Sequence, residues 1–212
     1  YAGGDDVFAM VPVNGALALA DELRKVFHNK LKGIASKLQA REPTLSVGLV
    51  MVHMQTPLGR VRRLATRAEE LAKGSETDTP RNALGIIVAS RSGAPLELRL
   101  SWVEDPLTQL GSLVSLYQTG DLSTRFGYEL REVALLLQGM EESVAEKMKE
   151  YELNRILGKK NVTGGSKSVS EETKNTVLNH AEDKKFDTVF NEHLIARWLG
   201  LHAGEITSCL FV

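Results

Sequence analysis

Tyr1-Ala2-Gly3-Gly4-Asp5-Asp6-Val7-Phe8-Ala9-Met10-Val11-Pro12 is the stretch on which the reading of this chain turns. Two glycines permit the positive φ angles of a tight turn. Two adjacent carboxylates stand at that turn, and an apolar run follows them. The run Val7 to Val13 is bounded by turn residues and predicts a short buried strand. Asp5 and Asp6 would then sit at the tip of a hairpin. Adjacent carboxylates can hold hard divalent cations, Mg²⁺ or Mn²⁺, shared with substrate phosphates. Two such ions roughly 4 Å apart can stabilise the attacking and leaving oxygens of an in-line phosphoryl displacement. Gly3 and Gly4 would let a triphosphate approach the backbone without a side-chain clash. An ordinary surface turn uses the same residue types, so the motif gains its meaning from what surrounds it. A hairpin also needs a strand on each side, and only the second is present. The chain therefore reads as the C-terminal piece of a longer polypeptide.

Beyond the turn, Asn14 is a candidate N-cap. Ala16, Ala20, Leu23, Phe27, Leu31, Ile34 and Leu38 then recur every three or four residues, predicting an amphipathic helix that Gly33 could divide. Leu45 to Val52 predicts a strand with Ser46, Gly48, Val50 and Val52 on one face. Pro57 and Gly59 precede a second helix through Ala72, with Gly74 at its C′ position. Polar Ser75 to Asn82 is a loop. Leu84 to Ala89 is continuously apolar, as a central strand is, and Leu96 to Trp102 alternates as a half-exposed one.

The pattern then changes. Asp105-Pro106 reads as an N-cap and an N1 proline. Helices are expected through Tyr117, from Ser123 to Leu137, from Glu141 to Leu157, from Glu171 to Ala181 and from Lys185 to Leu199. A Lys/Gly/Ser-rich loop, Gly158 to Val169, interrupts them. The sequence thus predicts an α+β fold with an α/β part over 1–104 and an all-α domain over 105–212.

With 212 residues the chain can bury a core without staples, and its formal net charge of −1 gives no global attraction to nucleic acid. One cysteine, Cys209, allows no internal disulfide and is read as packing; that usage points to a reducing cytoplasm. No apolar run approaches the roughly 18 residues that span a bilayer, so no membrane partner is expected. Asn161-Val162-Thr163 fits a glycosylation acceptor, which a cytoplasmic protein would not use.

The opening twelve residues closely resemble the palm of the large subunit of type III CRISPR effector complexes, especially the type III-B (Cmr) form. Leu45-Ser46-Val47-Gly48-Leu49-Val50-Met51-Val52-His53 resembles that family's Ser-x-Gly strand ending in His. Glu69-Glu70-Leu71-Ala72-Lys73 resembles the helix end that follows. The later helices resemble the small domain that ends those subunits. The resemblance implies the C-terminal part of a ferredoxin-like nucleotidyl-cyclase or polymerase palm followed by a small all-α domain. It implies a synthetase, switched on by target RNA, that joins ATP through 3′–5′ bonds into cyclic oligoadenylates. Asp5 and Asp6 would be the catalytic metal ligands, with a further aspartate upstream of Tyr1, so this stretch alone should be inactive. Guide RNA, target RNA, a small helical subunit, other effector subunits and the upstream part of the same subunit are the implied partners.

Nucleotide-binding roles are expected for Gly3, Gly4, Ser46, Gly48, Lys73 and Arg81, with His53 a possible site residue. Lys73 has two readings: a cation favoured at a helix C-terminus, or a triphosphate ligand. Diguanylate-cyclase palms resemble this pattern, with Arg-Asn shortly after the lysine; here Arg81-Asn82 follows a longer insertion. Ser46 and Gly48 either permit close helix packing or leave room for a base. Arg60, Arg62, Arg63 and Arg67 read as a solvated helix face, although one could sit near the phosphates. Lys159, Lys160 and Lys167 are loop cations that could touch RNA phosphates. Three rivals stay open: a palm joining ATP to another acceptor such as S-adenosylmethionine, a diguanylate cyclase, and a non-catalytic scaffold. The second fits less well, because Asp6-Val7-Phe8 stands where Glu-Phe is usual.

Overall fold

The computed structural model describes residues 2, 3, 6–75, 81–90, 93–159 and 168–202. Its elements run β1 (Ala2–Gly3), β2 (Asp6–Val7), α1 (Val13–Lys37), β3 (Val47–Val52), α2 (Leu58–Lys73), β4 (Ala83–Ala89) and β5 (Leu96–Ser101). A 3-10 turn, Trp102–Glu104, leads into α3 (Pro106–Gln118), α4 (Phe126–Leu137), α5 (Glu142–Gly158), α6 (Glu171–Ala181) and α7 (Phe186–His202). An α+β part is thus followed by helices.

The apolar run Leu84 to Ala89 becomes the central strand. Every residue of β4 is buried, β3 lies parallel on one side and β5 antiparallel on the other. The parallel pair needs a crossover, and α2 supplies it. Register sets Gly48 of β3 directly beside Gly85 of β4. A Cβ on Gly48 would meet Glu69 N at 2.5 Å and Ala68 C at 2.8 Å. A Cβ on Gly85 would collide with the Ala68 carbonyl oxygen and lie 2.9 Å from Ala72 N. The two glycines form a trough that receives the α2 backbone, where Ala68 and Ala72 are fully buried.

The first apolar run departs from its expected form. Only Asp6–Val7 is strand, paired antiparallel to Ala2–Gly3, and the expected buried strand over Val7 to Val13 is not formed. Val7 and Met10 are 73% and 71% exposed. Among the described residues no strand continues the pairing past Val7, and Pro12 has no N–H to offer one. Pro12, not Asn14, is the N-cap of α1, and Gly33 does not divide that helix. A single interior glycine costs only about 1 kcal/mol relative to alanine, which 25 residues of helix absorb. Trp102 belongs to the 3-10 turn rather than to β5. Ser123 precedes α4, its Oγ accepting from Arg125 N–H at 3.2 Å.

Asp105 adopts a left-handed conformation (φ 49°) and Pro106 occupies the first turn of α3. In the helical part α7 packs against α3 and α4 and also against β5. One hydrophobic cluster therefore runs from Met51, Leu84 and Leu98 through Leu110 and Phe126 to Leu199.

That core encloses a polar network. His193 is fully buried; its Nδ1 lies 3.1 Å from the Tyr117 hydroxyl and its ring meets Phe126 edge-on. His180 Nε2 sits 2.6 Å from Glu192 Oε2, and Lys184 Nζ donates to Glu192 Oε1 at 2.9 Å and to Gln109 Oε1 at 3.0 Å. Lys149 also pairs with Glu146, and its ammonium donates to the carbonyls of Ala181 (3.1 Å) and Lys184 (2.7 Å), closing the end of α6.

Burial, helped by His180 and the Lys184 charge, pushes the His193 pKa down to about 3. The unfolded imidazole titrates near the ordinary value of 6.5. Between those values the unfolded chain binds a proton that the native chain refuses. Stability is therefore full above about pH 6.5 and falls as pH drops toward 3. From pH 7 to pH 5 this residue alone should remove about 2 kcal/mol. Denaturant titrations at the two pH values, on the native chain and on a Tyr117→Phe/His193→Leu double variant, measure it. An equal acid loss in both would refute the assignment.

Candidate functional site: the Ser46–Lys73–Arg81 edge

Gly3 pairs with Asp6 and Ala2 with Val7, antiparallel. Gly4 and Asp5 lie outside the described residues, as does Tyr1; Gly3 and Asp6 are described by backbone only. Their chemistry follows from residue type. Asp5 and Asp6 are adjacent in sequence, Asp6 beginning β2, and two carboxylates are a donor set that fits Mg²⁺ or Mn²⁺. Among the described residues no group of three or more His, Cys, Asp or Glu could hold a metal ion.

Strand direction sorts the other candidates. Because β3 and β4 run parallel and α2 returns between them, the start of β3, the end of α2 and the start of β4 share one end of the sheet. Ser46 stands just before β3, Lys73 closes α2 and Arg81-Asn82 precedes β4, so all three candidates reach this edge. Ser46 Oγ accepts the Asn82 N–H at 3.2 Å, tying the two strand entrances together. Asn82 has φ 78°, a conformation asparagine tolerates better than most residues. Its carbonyl accepts the Trp102 N–H at 3.1 Å. Gly74, the C-cap of α2 rather than its C′ residue, has φ 61° and ψ −159°, a conformation open to glycine.

Lys73 Nζ pairs with Glu69 Oε1 at 2.5 Å, one turn back along α2, and remains 43% exposed. A phosphate would have to displace that exposed pair, a modest cost. Arg81 is exposed. The Gly48 face of β3 is occupied by the α2 backbone, so the close-packing reading accounts for this glycine and no space is left there for a base.

His53 is at the wrong end. It follows the last residue of β3, opposite the edge that holds Ser46, Lys73 and Arg81. Its Nδ1 accepts the Gln55 N–H at 3.1 Å and its carbonyl accepts the Thr56 N–H at 2.8 Å, so it shapes the β3–α2 turn.

Sequence reasoning missed a shallow groove at the Ser46 end, lined by Arg24, His28, Glu42, Pro43, Thr44 and Asn82. His28 Nδ1 lies 3.2 Å from the Pro43 carbonyl, and the Arg24 guanidinium lies 5.0 Å from the Trp102 ring centroid. Nothing in the α1 sequence distinguishes Arg24 from an ordinary surface cation. Lys159 is held near Glu129 at 3.6 Å; Lys160, Lys167, Asn161-Val162-Thr163 and Cys209 lie outside the described residues.

A hairpin bearing paired carboxylates, then helix, strand, helix and strand, is the order of a palm-type nucleotide-handling domain. Comparison with known proteins agrees: residues 1–85 match the profile of the family described as Cas10/Cmr2, second palm domain. This part of the chain is thus similar to the palm region of type III CRISPR large subunits. The chain is 33% identical over 103 residues to the CRISPR system Cmr subunit Cmr2 of Pyrococcus furiosus, covering 48% of this chain and 11% of that protein. It is 38% identical over 79 residues to the CRISPR system single-strand-specific deoxyribonuclease Cas10/Csm1 (subtype III-A) of Streptococcus thermophilus, covering 37% of this chain and 9% of that protein. The matches thus span about a tenth of each relative. No solved structure gives a significant match. Among the described residues, no helix is long and apolar enough to cross a membrane.

Proposed function

We propose that this palm belongs to a cyclic oligoadenylate synthetase, active in the cytoplasm within a CRISPR ribonucleoprotein when guide RNA has paired with target RNA. The observation carrying the reading is the convergence of Ser46, Lys73 and Arg81 at one end of a sheet whose chain also bears Asp5 and Asp6. In each step the 3′-hydroxyl of one adenosine attacks the α-phosphorus of an ATP. A 3′–5′ phosphodiester forms, pyrophosphate leaves, and the last 3′-hydroxyl closes the ring. Asp5 and Asp6 would hold the divalent ions, which neutralise phosphate charge and make the hydroxyl easier to deprotonate. Gly3 and Gly4 would admit the triphosphate, and Lys73 and Arg81 would steady its outer phosphates. Ser46 orders the edge through Asn82. A further carboxylate from the rest of the large subunit would complete the metal site.

The test uses the assembled complex containing the full-length subunit, given ATP and Mg²⁺ with or without target RNA. Mass spectrometry should find cyclic adenylates and pyrophosphate only when target RNA is present. Exclusively linear products, or methionine-containing adenylates when S-adenosylmethionine is supplied, would overturn the reading.

A further inference from the structure

Several cations on other helices pair with a carboxylate of the same helix. Arg24 and Lys25 pair with Asp21, Lys149 with Glu146, Arg155 with Glu152 and Lys174 with Glu171. The N-terminal half of α2 differs. Arg60, Arg62 and Arg63 are exposed, and none has a carboxylate partner among the described residues; Arg67, one turn on, reaches Glu97 of β5 at 2.7 Å. The imbalance extends along the chain: Pro43 to Ala68 contains no Asp or Glu, in a protein that has 27 of them. Three like charges within four residues repel one another, and nothing nearby on the helix offsets them.

The surroundings add donors and apolar surface. His53 Nδ1 is engaged with the Gln55 N–H, which leaves Nε2 as the protonated nitrogen of the neutral ring. His53, Thr56 and Arg60 line a shallow depression at the exit ends of β3 and β4. Beside it Met54 and Leu58 are 92% and 57% exposed. Along a helix rising about 1.5 Å per residue, Arg60 and Arg63 stand about 4.5 Å apart along the axis on one face, with Arg62 between them in sequence. Such closely set cations suit a phosphate backbone, and the uncovered apolar side chains suit base faces, which only an unpaired strand presents.

We propose that this arginine-bearing half of α2 is a docking surface for the phosphate backbone of single-stranded nucleic acid. It lies at the sheet end opposite Ser46, Lys73 and Arg81, so it is separate from the nucleotide-joining edge and does not depend on the synthetase reading. Charge complementarity selects the occupant: a polyanion supplies the negative charge that the chain lacks here.

The test measures binding of the full-length subunit to labelled mixed-sequence single-stranded RNA and DNA over a range of salt concentrations. An Arg60→Gln/Arg62→Gln/Arg63→Gln variant should bind on the order of thirtyfold more weakly at physiological salt, with a log K against log salt slope shallower by about 2. The matching triple lysine variant should retain most of the affinity and the slope, because a phosphate needs the charge rather than the guanidinium fork. Loss of RNA binding alone identifies RNA as the occupant, and loss of both identifies strands generally. Unchanged affinity and slope in the glutamine variant, with an unchanged melting temperature, would overturn the proposal. So would equal loss in the lysine variant, or release of a protein subunit from the assembled complex while nucleic-acid affinity persists.

Discussion

A valine at Gly85 should cost the fold about 3 kcal/mol or more and lower the melting temperature by on the order of 10 °C. The reason is the trough described above. The new side chain would occupy space already filled by the Ala68 carbonyl and the Ala72 amide. These are backbone atoms of a helix interior, so no rotamer change can relieve the overlap. Relief requires α2 to lift from the sheet, which uncovers Ala68, Ala72 and the α2-facing side of β3 and β4. Gly33→Ala provides the contrasting control. No atom lies within 4 Å of a Cβ there, and the residue is inside α1, so alanine should stabilise by up to about 1 kcal/mol. Thermal melts of the two variants should move in opposite directions. A Gly85→Val protein that melts like the native one would mean that α2 does not seat on the paired glycines.

Replacing Asp5 and Asp6 together with asparagine should reduce nucleotide product by about a thousandfold or more, the equivalent of about 4 kcal/mol of transition-state stabilisation. Asparagine keeps size and turn preference but removes the charge that a divalent cation requires. Backbone pairing of Ala2–Gly3 with Asp6–Val7 does not involve those side chains, so the hairpin should persist. Assembly with guide RNA and the other subunits should be unchanged, which separates loss of chemistry from loss of structure. The measurement is product yield per complex, with binding of target RNA as the control. Native-level product from the double variant would rule out the metal mechanism and leave a scaffolding role standing.

Much of the framework was legible because local pattern and burial coincide. Leu84 to Ala89 is apolar at every position, and β4 is buried at every position. The three-to-four-residue spacing after Pro12, and again through α2, translates directly into helices. The run Val7 to Val13 misled because strand character needs a neighbour, and hydrophobicity alone does not provide one. His53 illustrates a different limit. A sequence motif places Ser46 and His53 together, yet at about 3.3 Å per residue seven steps of strand separate them by about 23 Å. Only the direction of β3 reveals that they face opposite ends. Gly48 carried two readings that residue type could not separate, and the position of α2 favours packing. The buried His193, Glu192 and Lys149 were invisible to periodicity, since their burial depends on partners drawn from α3, α6 and the turn after α6.

The paired glycines have a mechanical consequence. Advancing α2 by one residue would rotate it about 100° and bring a different, larger side chain over the trough, so the helix has a single seating. Ser46, Lys73 and Asn82 are then carried on one stiff wedge of two strands and a helix. Under the proposed function, their mutual geometry would be set before a nucleotide arrives, which would lower the ordering entropy of binding. Under the proposed function, a switch would act by moving the hairpin against this wedge rather than by reshaping the wedge.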